Sequence, residues 1–546
     1  MKKFFYPLIL LLIVLPTLIP FFNSKFFYTQ DHIFIARLQQ MSTALSSGQF
    51  PVRWAPDLRY GEPLFNFYAP LPYYIGALIH LFGVNFIWVA KILFMLSAVL
   101  SAATVYLLVN KLFGQKAGIL AAVLYTYAPY RAVDMYVRGS LSETWAFVFL
   151  PLIFYLSILL AEKTSFRNIS LLAFSLAGLF LTHNVTTLMF LPFLVSWWIY
   201  LILRDKKWKI ILHLSLASIL GFGLAAFFLL PAFFESGFIQ TKYLTVGYFN
   251  FRAHFVAFKQ FFSLFWGYGS SVWGLDDGLS FQIGLVNLVV LAAAAILAIF
   301  HYRDKKFLVI ISFLGISFLG SLFLQHNKSA FIWEAIPEMA FIQFPWRFLG
   351  ISVFIIALTG GAIAVYLKNR LRPLYFILIF AAIASTLMYF RPKGYADDKF
   401  FDKFLQVERM NKGEDLTKDY LPIWVQTTEG ERFNEPRAEK GQVAIKNFKR
   451  NSTKLEFSAD VLSKSLIEVP LSFFPGWQVK ADNQSIDLLP TSRTGLIRFE
   501  LPEGRYNVEV ELFNTPIRTA GNMISLASII LVFFMYLNFL PRKKNL

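Results

Sequence analysis

The sequence predicts a polytopic α-helical membrane protein with about twelve transmembrane helices and a β-sandwich-like domain before the last helix. Hydrophobic residues make up 57% of the 546 residues and charged residues only 15%, against roughly 25% charged residues in ordinary soluble domains. Long apolar runs recur along the chain, and only the stretch before the last run alternates between apolar and polar residues. These observations exclude a soluble globular protein.

Apolar runs long enough to cross a bilayer as helices, about 20 residues each, define the predicted spans. They lie at 4–22, 86–110, 117–132, 142–161, 168–182, 184–203, 209–231, 281–302, 307–324, 346–367, 373–390 and 519–540. The first run lacks a small-residue cleavage site, so we predict a retained helix and not a cleaved signal peptide. The shorter piece at 70–83 contains two prolines and is predicted to be interfacial or re-entrant.

Basic residues predict the orientation, because short cytoplasmic loops are enriched in Lys and Arg. Every second connection is short and basic, and the C-terminal tail is basic as well. The cations are Lys111 and Lys116; Lys163 and Arg167; Arg204, Lys206, Lys207 and Lys209; Arg303, Lys305 and Lys306; Lys368, Arg370 and Arg372; and Arg542, Lys543 and Lys544 in the tail. The intervening segments, which mix acids, histidines and aromatics, are 23–69, 133–141, 232–280, 325–345 and 391–518. We therefore predict a bacterial inner (cytoplasmic) membrane protein with both termini cytoplasmic and the β domain extracytoplasmic.

The formal charge of +18 does not indicate a nucleic-acid partner, because the cations separate apolar runs and do not cluster on one soluble face. The lipid bilayer is the predicted partner. The chain has no cysteine, which excludes disulfides and thiolate metal sites. No Walker-type or Gly-x-Gly-x-x-Gly nucleotide motif is present.

Three regions follow from this pattern: a helical domain at 1–390, a β-rich domain at 391–518, and a final helix with its basic tail at 519–546. Alternating residues predict strands at 455–457, 477–479, 497–501 and 506–512, separated by Pro and Gly turn signals. The stretch 395–440 is charged and aperiodic and is predicted to be irregular or peripheral.

The first outward loop, 23–69, contains the candidate catalytic acid Asp31, followed by His32. An amphipathic stretch follows at 33–45 and predicts an interfacial helix. A carboxylate at the water boundary can act as a general base or hold a divalent cation. The alternative is that Asp31 caps the N-terminus of the following helix.

The residues Arg131, Asp134, Arg138 and Glu143 lie together in the outward turn after the third predicted span. Two arginines and two acids can cancel as salt bridges. The functional interpretation makes Arg138 a phosphate clamp and Glu143 a ligand for a sugar hydroxyl or a metal. His183 and Asn184 occupy another short outward turn, where they bind a sugar or cap helix ends.

The loop from Pro51 to Tyr74 ends in Gly-x-Pro-x-Phe-x-x-Tyr-x-Pro-x-x-Tyr-Tyr, beginning at Gly61. With this ending, the chain resembles the membrane glycosyltransferases of the C superfamily (GT-C). It is more similar to the YfhO-like group and to the membrane family labelled 6-pyruvoyl-tetrahydropterin synthase-related. Ile342–Phe348, Phe473–Trp477 and Leu488–Pro490 extend the resemblance over most of the chain, in order.

The resemblance implies an inverting sugar transfer from a polyprenyl-phosphate donor to an envelope glycan, lipid or protein acceptor. Asp31 matches the position of the family's base. Cations near the outer boundary should bind the donor phosphate, and the candidates are Arg138, Lys91 and Arg347. Snorkelling to lipid headgroups is the alternative for Lys91, and headgroup anchoring is the alternative for Arg347. In the first loop, His32, Arg53 and Asp57 are further substrate-binding candidates.

A divalent cation, Mg or Mn, is a possible cofactor, with Asp31 and Glu143 as possible ligands. His32, His183, His254 and His326 also face outward in the predicted topology, but their spacing matches no compact ligand motif. Two other functions stay open from the sequence: a transporter or lipid flippase, and a non-catalytic envelope-assembly protein. No internal repeat of the kind common in transporters is evident.

Overall fold

The computed structural model describes residues 2–367, 369–407, 418, 420–427, 433–489 and 493–537. The predicted basic residues Lys368, Arg542, Lys543 and Lys544 lie outside the described residues. Helices of ten or more residues are numbered here in chain order. They are α1 Lys2–Leu18, α2 Phe34–Ser46, α3 Leu71–His80, α4 Phe86–Phe113, α5 Gln115–Thr126, α6 Leu141–Glu162, α7 Phe166–Phe180, α8 Asn184–Asp205, α9 Ile210–Phe234, α10 Leu285–Phe300, α11 Lys305–Gln325, α12 Leu349–Ala364, α13 Arg372–Thr386 and α14 Pro516–Leu537.

Eight helices within the described residues are long and apolar enough to cross a membrane. They are Phe86–Phe113, Leu141–Glu162, Asn184–Asp205, Ile210–Phe234, Lys305–Gln325, Pro345–Ala364, Asn369–Tyr389 and Pro516–Tyr536. Three more predicted spans coincide with shorter apolar helices, at Tyr6–Phe22, Phe166–Phe180 and Leu285–Phe300. The predicted count of twelve crossings therefore stays a prediction, although the positions of most predicted spans match helices.

The predicted span at 117–132 is interrupted. Helix α5 ends at Thr126, and the chain resumes as a helical turn, Pro129–Ala132, followed by a π-helical segment, Val133–Arg138. Ala128, directly before the proline, has an extended ψ of 135°, as expected because a proline disfavours the helical conformation of the residue before it. A helix of 12 residues spans about 18 Å, well short of the roughly 30 Å hydrocarbon core.

Hydrogen bonds join several of the predicted outward segments to one another, and they also join some of the predicted cytoplasmic ends. Bonds between predicted outward segments include Gln30 N to Val137 O (2.9 Å), Gln30 Nε2 to Gly269 O (2.7 Å), Ala396 N to Phe26 O (2.8 Å) and Val256 N to Gln325 O (2.8 Å). Predicted cytoplasmic ends likewise meet, through Tyr375 OH to Lys116 O (2.9 Å) and Lys207 Nζ to Ala161 O (3.0 Å). Which of the two groups faces the cytoplasm stays a prediction.

The described part of the C-terminal region forms one antiparallel sheet before α14. Its strands are β1 Arg437–Arg450, β2 Lys454–Ser472, β3 Trp477–Ala481, β4 Gln484–Ile486, β5 Leu496–Leu501 and β6 Gly504–Leu512. The long strand β2 pairs with β1 on one side, and on the other side with β6 through its first half and β5 through its second half. All predicted strands lie within these elements. The sheet is continuous, whereas the sandwich-like prediction had anticipated two layers.

The stretch 395–440, predicted to be irregular, contains a short helix at Asp398–Leu405 and the start of β1. Part of it lies outside the described residues. The charged strand β1 escaped prediction because most of its side chains are exposed on both faces, so it lacks the apolar alternation that marks a half-buried strand.

The first loop packs between the helices and the sheet. Trp54 belongs to the same buried core as the strands, and its ring meets Trp477 edge-on at 5.4 Å. The backbone also joins the two parts, because Ser472 N donates to Tyr60 O at 2.9 Å. The loop that carries the predicted catalytic acid is thus held from both sides.

A buried ion pair ties the last helix to α9 and to the first loop. Arg518 Nη2 donates to Glu235 Oε2 at 2.9 Å, and both side chains are almost fully buried. Asn66 Nδ2 also donates to this carboxylate, at 2.5 Å. Arg53 joins the same network, donating to Asn66 Oδ1 at 3.0 Å and to Asn522 Oδ1 at 2.8 Å.

Candidate functional site

A buried ionic cluster forms at the first turn of α6. Glu143 Oε2 accepts a hydrogen bond from Arg138 Nη1 at 2.7 Å, and its Oε1 accepts one from Tyr130 OH at 2.6 Å. The same Arg138 nitrogen donates to Asp134. Gly139 makes this local fold possible, because its positive φ of 69° reverses the chain between the π-helical segment and α6.

Arg347 approaches this cluster from the turn before α12. Its Nη1 donates to Ile342 O at 2.8 Å, which fixes the guanidinium, while its Nε lies 3.8 Å from Glu143 Oε2 and makes no hydrogen bond. A narrow cavity between Arg347, Glu143, Phe147 and Thr186 has a volume of about 10 Å³, roughly the room needed by one water. The site as described is therefore closed around the ionic groups.

The alternative prediction was that the arginines and acids neutralise one another's charge in salt bridges. It holds only for Arg138. Arg138 pairs with both acids, but Arg131 donates to Ser101 Oγ at 2.9 Å and leaves its Nε and Nη1 without hydrogen bonds. Three buried arginines thus face two carboxylates. Burial, reinforced by the Glu143 carboxylate, raises the pKa of Asp134 to about 8.

His183 lies at the edge of the cluster and caps α8. Its Nδ1 is 2.7 Å from Thr186 Oγ1 and accepts a bond from Thr186 N, so the capping alternative describes its local geometry. Burial lowers the pKa of His183 to about 3, although Glu143 opposes this shift. A neutral imidazole beside Arg347 and Arg138 adds no further charge to the cluster at physiological pH.

Asp31 is joined to the cluster through the backbone. Asp31 N donates to Arg138 O at 2.8 Å, so the loop that carries the acid runs alongside the π-helical segment. Its carboxylate is 41% exposed, and the nearest cation is Arg37 Nη1 at 3.7 Å. Helix α2 has no side-chain cap and begins at Phe34 after Ile33. The capping alternative for Asp31 is therefore not what the geometry shows.

Gly139 is packed tightly against the loop that carries Asp31. A Cβ at this position would lie 2.6 Å from Thr29 and 2.8 Å from Asp31 O. Gly139→Ala is expected to lower the free energy of unfolding by about 1–3 kcal/mol, the cost of left-handed backbone in a non-glycine residue. Thermal unfolding in detergent should show this loss, with Gly315→Ala, which meets open space, as the control. An unchanged midpoint for Gly139→Ala would contradict the close packing.

The other predicted substrate-binding residues contact the protein itself. Lys91 Nζ is buried and donates to the carbonyls of Asn23 and Ser24, at 2.6 and 2.9 Å. This position differs from the alternative in which Lys91 snorkels to lipid headgroups. Asn184 Nδ2 donates to Phe67 O at 3.0 Å. These contacts hold both ends of the first loop, and substrate binding by Lys91 and Asn184 stays a prediction.

Asp57 and His32 are likewise engaged within the loop. Asp57 N donates to Gln40 Oε1 at 2.8 Å, and the Gln40 amide returns a bond to the Asp57 carboxylate. The His32 ring lies 4.6 Å from the Phe404 ring. Arg53 belongs to the network around Glu235. The structure thus gathers Arg138, Glu143, Arg347 and His183 beside the segment that carries Asp31. By contrast, Arg53, Asp57 and Lys91 form hydrogen bonds with neighbouring parts of the protein.

Sequence reasoning missed Arg37 and Tyr130. Arg37 is buried, lies 3.7 Å from Asp31, and places its guanidinium 4.1 Å over the Tyr68 ring. The available signal was a single arginine between apolar positions of the amphipathic stretch. Tyr130 gave no such signal, because an aromatic residue in an apolar run is ordinarily part of the core.

The described residues contain no cluster of several metal-ligand side chains. Within the described ranges, no group of three or more His, Asp or Glu side chains could hold a metal ion. His254 instead bonds Ser271 Oγ at 2.8 Å, and His326 accepts from Lys328 N at 3.2 Å. Asp31 and Glu143 each have an arginine as their nearest charged neighbour. Divalent-cation binding by Asp31 and Glu143 stays a prediction.

The apolar helices and the C-terminal sheet define a mostly helical membrane protein with an antiparallel sheet domain. A family model described as "6-pyruvoyl-tetrahydropterin synthase related domain; membrane protein" matches residues 65–392. The chain belongs to this family, which confirms the family resemblance predicted from the motifs.

Several known proteins are similar to parts of the chain. An uncharacterized protein of Lactococcus lactis subsp. cremoris (strain MG1363) is 30% identical over 239 residues, which cover 42% of this chain and 39% of that protein. The mycobacterial arabinofuranosyltransferase AftD is 14% identical, with a TM-score of 0.47, over 74% of this chain and 28% of AftD. The apo oligosaccharyltransferase of Archaeoglobus fulgidus is 12% identical, with a TM-score of 0.43, over 76% and 60% of the two chains. The chain thus matches less than two thirds of each of these proteins.

Proposed function

We propose that this protein transfers a sugar from a polyprenyl-phosphate donor to an envelope glycan, lipid or protein acceptor on the extracytoplasmic face. One observation carries the proposal. Asp31, whose carboxylate is exposed, donates a backbone hydrogen bond to Arg138 O, and Arg138 belongs to a buried cluster with more arginines than acids. Buried charge is costly in a membrane protein and therefore marks a functional site by default. The sequence resemblance to GT-C enzymes agrees with this assignment.

The chemistry needs one base and one anion site. In the proposed reaction, Asp31 accepts the proton of the acceptor hydroxyl as its oxygen attacks the anomeric carbon of the donor sugar. The bond between this carbon and the phosphate oxygen breaks, and polyprenyl phosphate leaves with the electron pair. The configuration at the anomeric carbon inverts. Arg138, Arg347 and Arg131 stabilise the charge that develops on the leaving phosphate.

Two arginines support the phosphate site because they have free donors. Arg131 Nε and Nη1 and Arg347 Nε make no hydrogen bond although they are buried. Unsatisfied donors in a buried site cost free energy, and a phosphate oxygen is a strong acceptor that a guanidinium can bind in bidentate fashion. The cavity beside Arg347 must widen to admit this group, so substrate entry requires movement of the first loop or of the turn before α12.

The direct experiment measures release of free polyprenyl phosphate from a panel of polyprenyl-phosphate sugars by purified protein, with and without an acceptor glycan. Release that depends on the acceptor is the expected result. Release is also measured with Mg²⁺, with Mn²⁺ and with a chelator. Because no step of the proposed reaction uses a cation, the chelator is expected to leave release unchanged. Absence of release from every donor would overturn the proposal and favour the transporter or assembly alternatives.

Arg347→Gln is expected to raise the KM for the lipid donor about 10–100-fold, the effect of losing a charge-assisted contact to phosphate. Arg347→Lys should recover part of the loss, because it keeps the charge without the planar fork. Steady-state kinetics over a range of donor concentrations measure both variants. Arg252→Gln, an exposed arginine of another predicted outward segment, is the control. Equal KM values for Arg347→Gln and wild type would remove Arg347 from the donor site.

A further inference from the structure

A basic cavity lies on the side of the molecule away from the proposed sugar-transfer site. It forms where the turn after α6 meets the turn between α8 and α9, and it is lined by Thr164, Lys206, Lys207, Trp208, Lys209 and His213. Its volume is about 450 Å³, within the range of about 300–1,000 Å³ typical of small-ligand sites. No acidic side chain is among its lining residues.

Among the described ion pairs, none joins a carboxylate to a lysine that lines this cavity. The adjacent acid, Asp205, is held by Arg204 in a two-pronged ion pair, with distances of 2.6 and 2.9 Å. Lys207 Nζ donates to Ala161 O at 3.0 Å and thereby fixes the two turns together. Lys206 and Lys209 are both exposed and line the cavity. Lys206 and Lys209 therefore place positive charge at the cavity, and Lys207 maintains the cavity's shape.

The start of α9 adds to the positive potential. This helix of 25 residues begins at Ile210, and its first turn has no side-chain cap. Helix N-termini carry a partial positive charge and favour anions. Ile210 itself lines the cavity, so the helix terminus and the lysines act on the same space.

Apolar side chains around the cavity are exposed as they would be toward lipid. Leu203, Trp208 and Leu212 are 58%, 63% and 72% exposed. A tryptophan beside lysines at the end of a membrane helix is typical of the headgroup level of a bilayer. The cavity thus offers an anion site at the depth of lipid phosphates, with an apolar surface directly beside it.

We propose that this cavity binds the phosphate headgroup of an anionic phospholipid, with its acyl chains packed along the exposed face of α8 and α9. Basic pockets between membrane helices favour such lipids. A lipid fits better than free phosphate because only a lipid covers the exposed leucines and the Trp208 ring. The inference is independent of the proposed sugar transfer, since it uses none of the residues of that site.

The test compares lipid retention by wild type and by Lys206→Gln/Lys209→Gln. Each purified protein is equilibrated with micelles that contain phosphatidylglycerol or phosphatidylethanolamine, and bound lipid is counted by native mass spectrometry. Loss of two lysines is expected to weaken phosphatidylglycerol binding roughly thirtyfold and to leave phosphatidylethanolamine binding unchanged. Lys207 is left intact because it holds the turns together. Lys206→Arg/Lys209→Arg should retain binding.

The matched control is Lys305→Gln/Lys306→Gln, which removes two exposed lysines from the first turn of α11, at a predicted cytoplasmic connection. Wild-type retention by this control, together with loss in Lys206→Gln/Lys209→Gln, supports the site. Equal loss in both double variants would show non-specific attraction and overturn the proposal. Competition of inorganic phosphate for the bound lipid at equal concentration would assign the cavity to free phosphate, which also overturns it.

Discussion

Asp31→Asn is expected to lower the turnover of the proposed sugar transfer by about 10²–10⁴-fold, the usual contribution of a general base. The amide has nearly the same shape as the carboxylate but does not accept the proton of the acceptor hydroxyl. The substitution should leave the fold intact, because the loop is held at this residue by its backbone bond to Arg138 and the side chain is 41% exposed. Donor release measured at saturating donor and acceptor tests the effect on kcat.

Asp276→Asn provides the matched control for Asp31→Asn. Asp276 is an exposed acid of the predicted outward segment 232–280, so this variant makes the same chemical change outside the cluster. Wild-type turnover in Asp276→Asn, with loss in Asp31→Asn, assigns the effect to position 31. Equal turnover by Asp31→Asn and wild type would exclude Asp31 as the base, even if Arg347→Gln retained its effect on KM.

The positions of the long helices were predictable because hydropathy and length act locally. The apolar run 86–110 became the helix Phe86–Phe113, and the alternating run 506–512 became part of β6. The broken span at 117–132 was also marked in the sequence, by Pro129. Apolar composition alone missed it, because hydropathy does not register the backbone restriction that proline places on Ala128.

Part of the candidate site could also be predicted, because its residues lie close together in the sequence. Asp134, Arg138 and Glu143 are spaced by four and five residues, so one turn brings them together. Arg347 was marked by its place after Pro345 and Trp346 at the start of an apolar run. That both groups converge on one cavity required the fold.

The hydrogen-bond partners of Arg53 could not be predicted from the sequence. An arginine in an outward loop was interpreted as a substrate ligand, which stays a prediction. Its hydrogen-bond partners Asn66 and Asn522 lie 13 and 469 residues away in sequence. Nothing local in the chain indicates the second partner. Long-range pairs of this kind determine whether a charge is structural, and they become visible only when the last helix is placed beside the first loop.

Arg518→Met is expected to lower the free energy of unfolding by about 3–5 kcal/mol, because it leaves the buried Glu235 carboxylate without its cation. Glu235 also accepts bonds from Asn66 and from Thr515 Oγ1 at 2.6 Å, but neither residue supplies a positive charge. The loss should appear as a lower unfolding midpoint in detergent. The interface between α9, α14 and the first loop should open first, because the ion pair joins these three parts.

The double variant Glu235→Gln/Arg518→Met should be more stable than Arg518→Met alone, because it removes the buried carboxylate together with its ion-pair partner. Arg252→Met is the matched control: its ion pair with Glu334 has the same 2.9 Å length as that of Arg518 with Glu235, but both partners are 50% exposed. Loss of an exposed pair should cost about 1 kcal/mol or less. Equal destabilisation by Arg518→Met and Arg252→Met would show that Glu235 finds solvent or another cation, and that this ion pair does not hold the last helix in place.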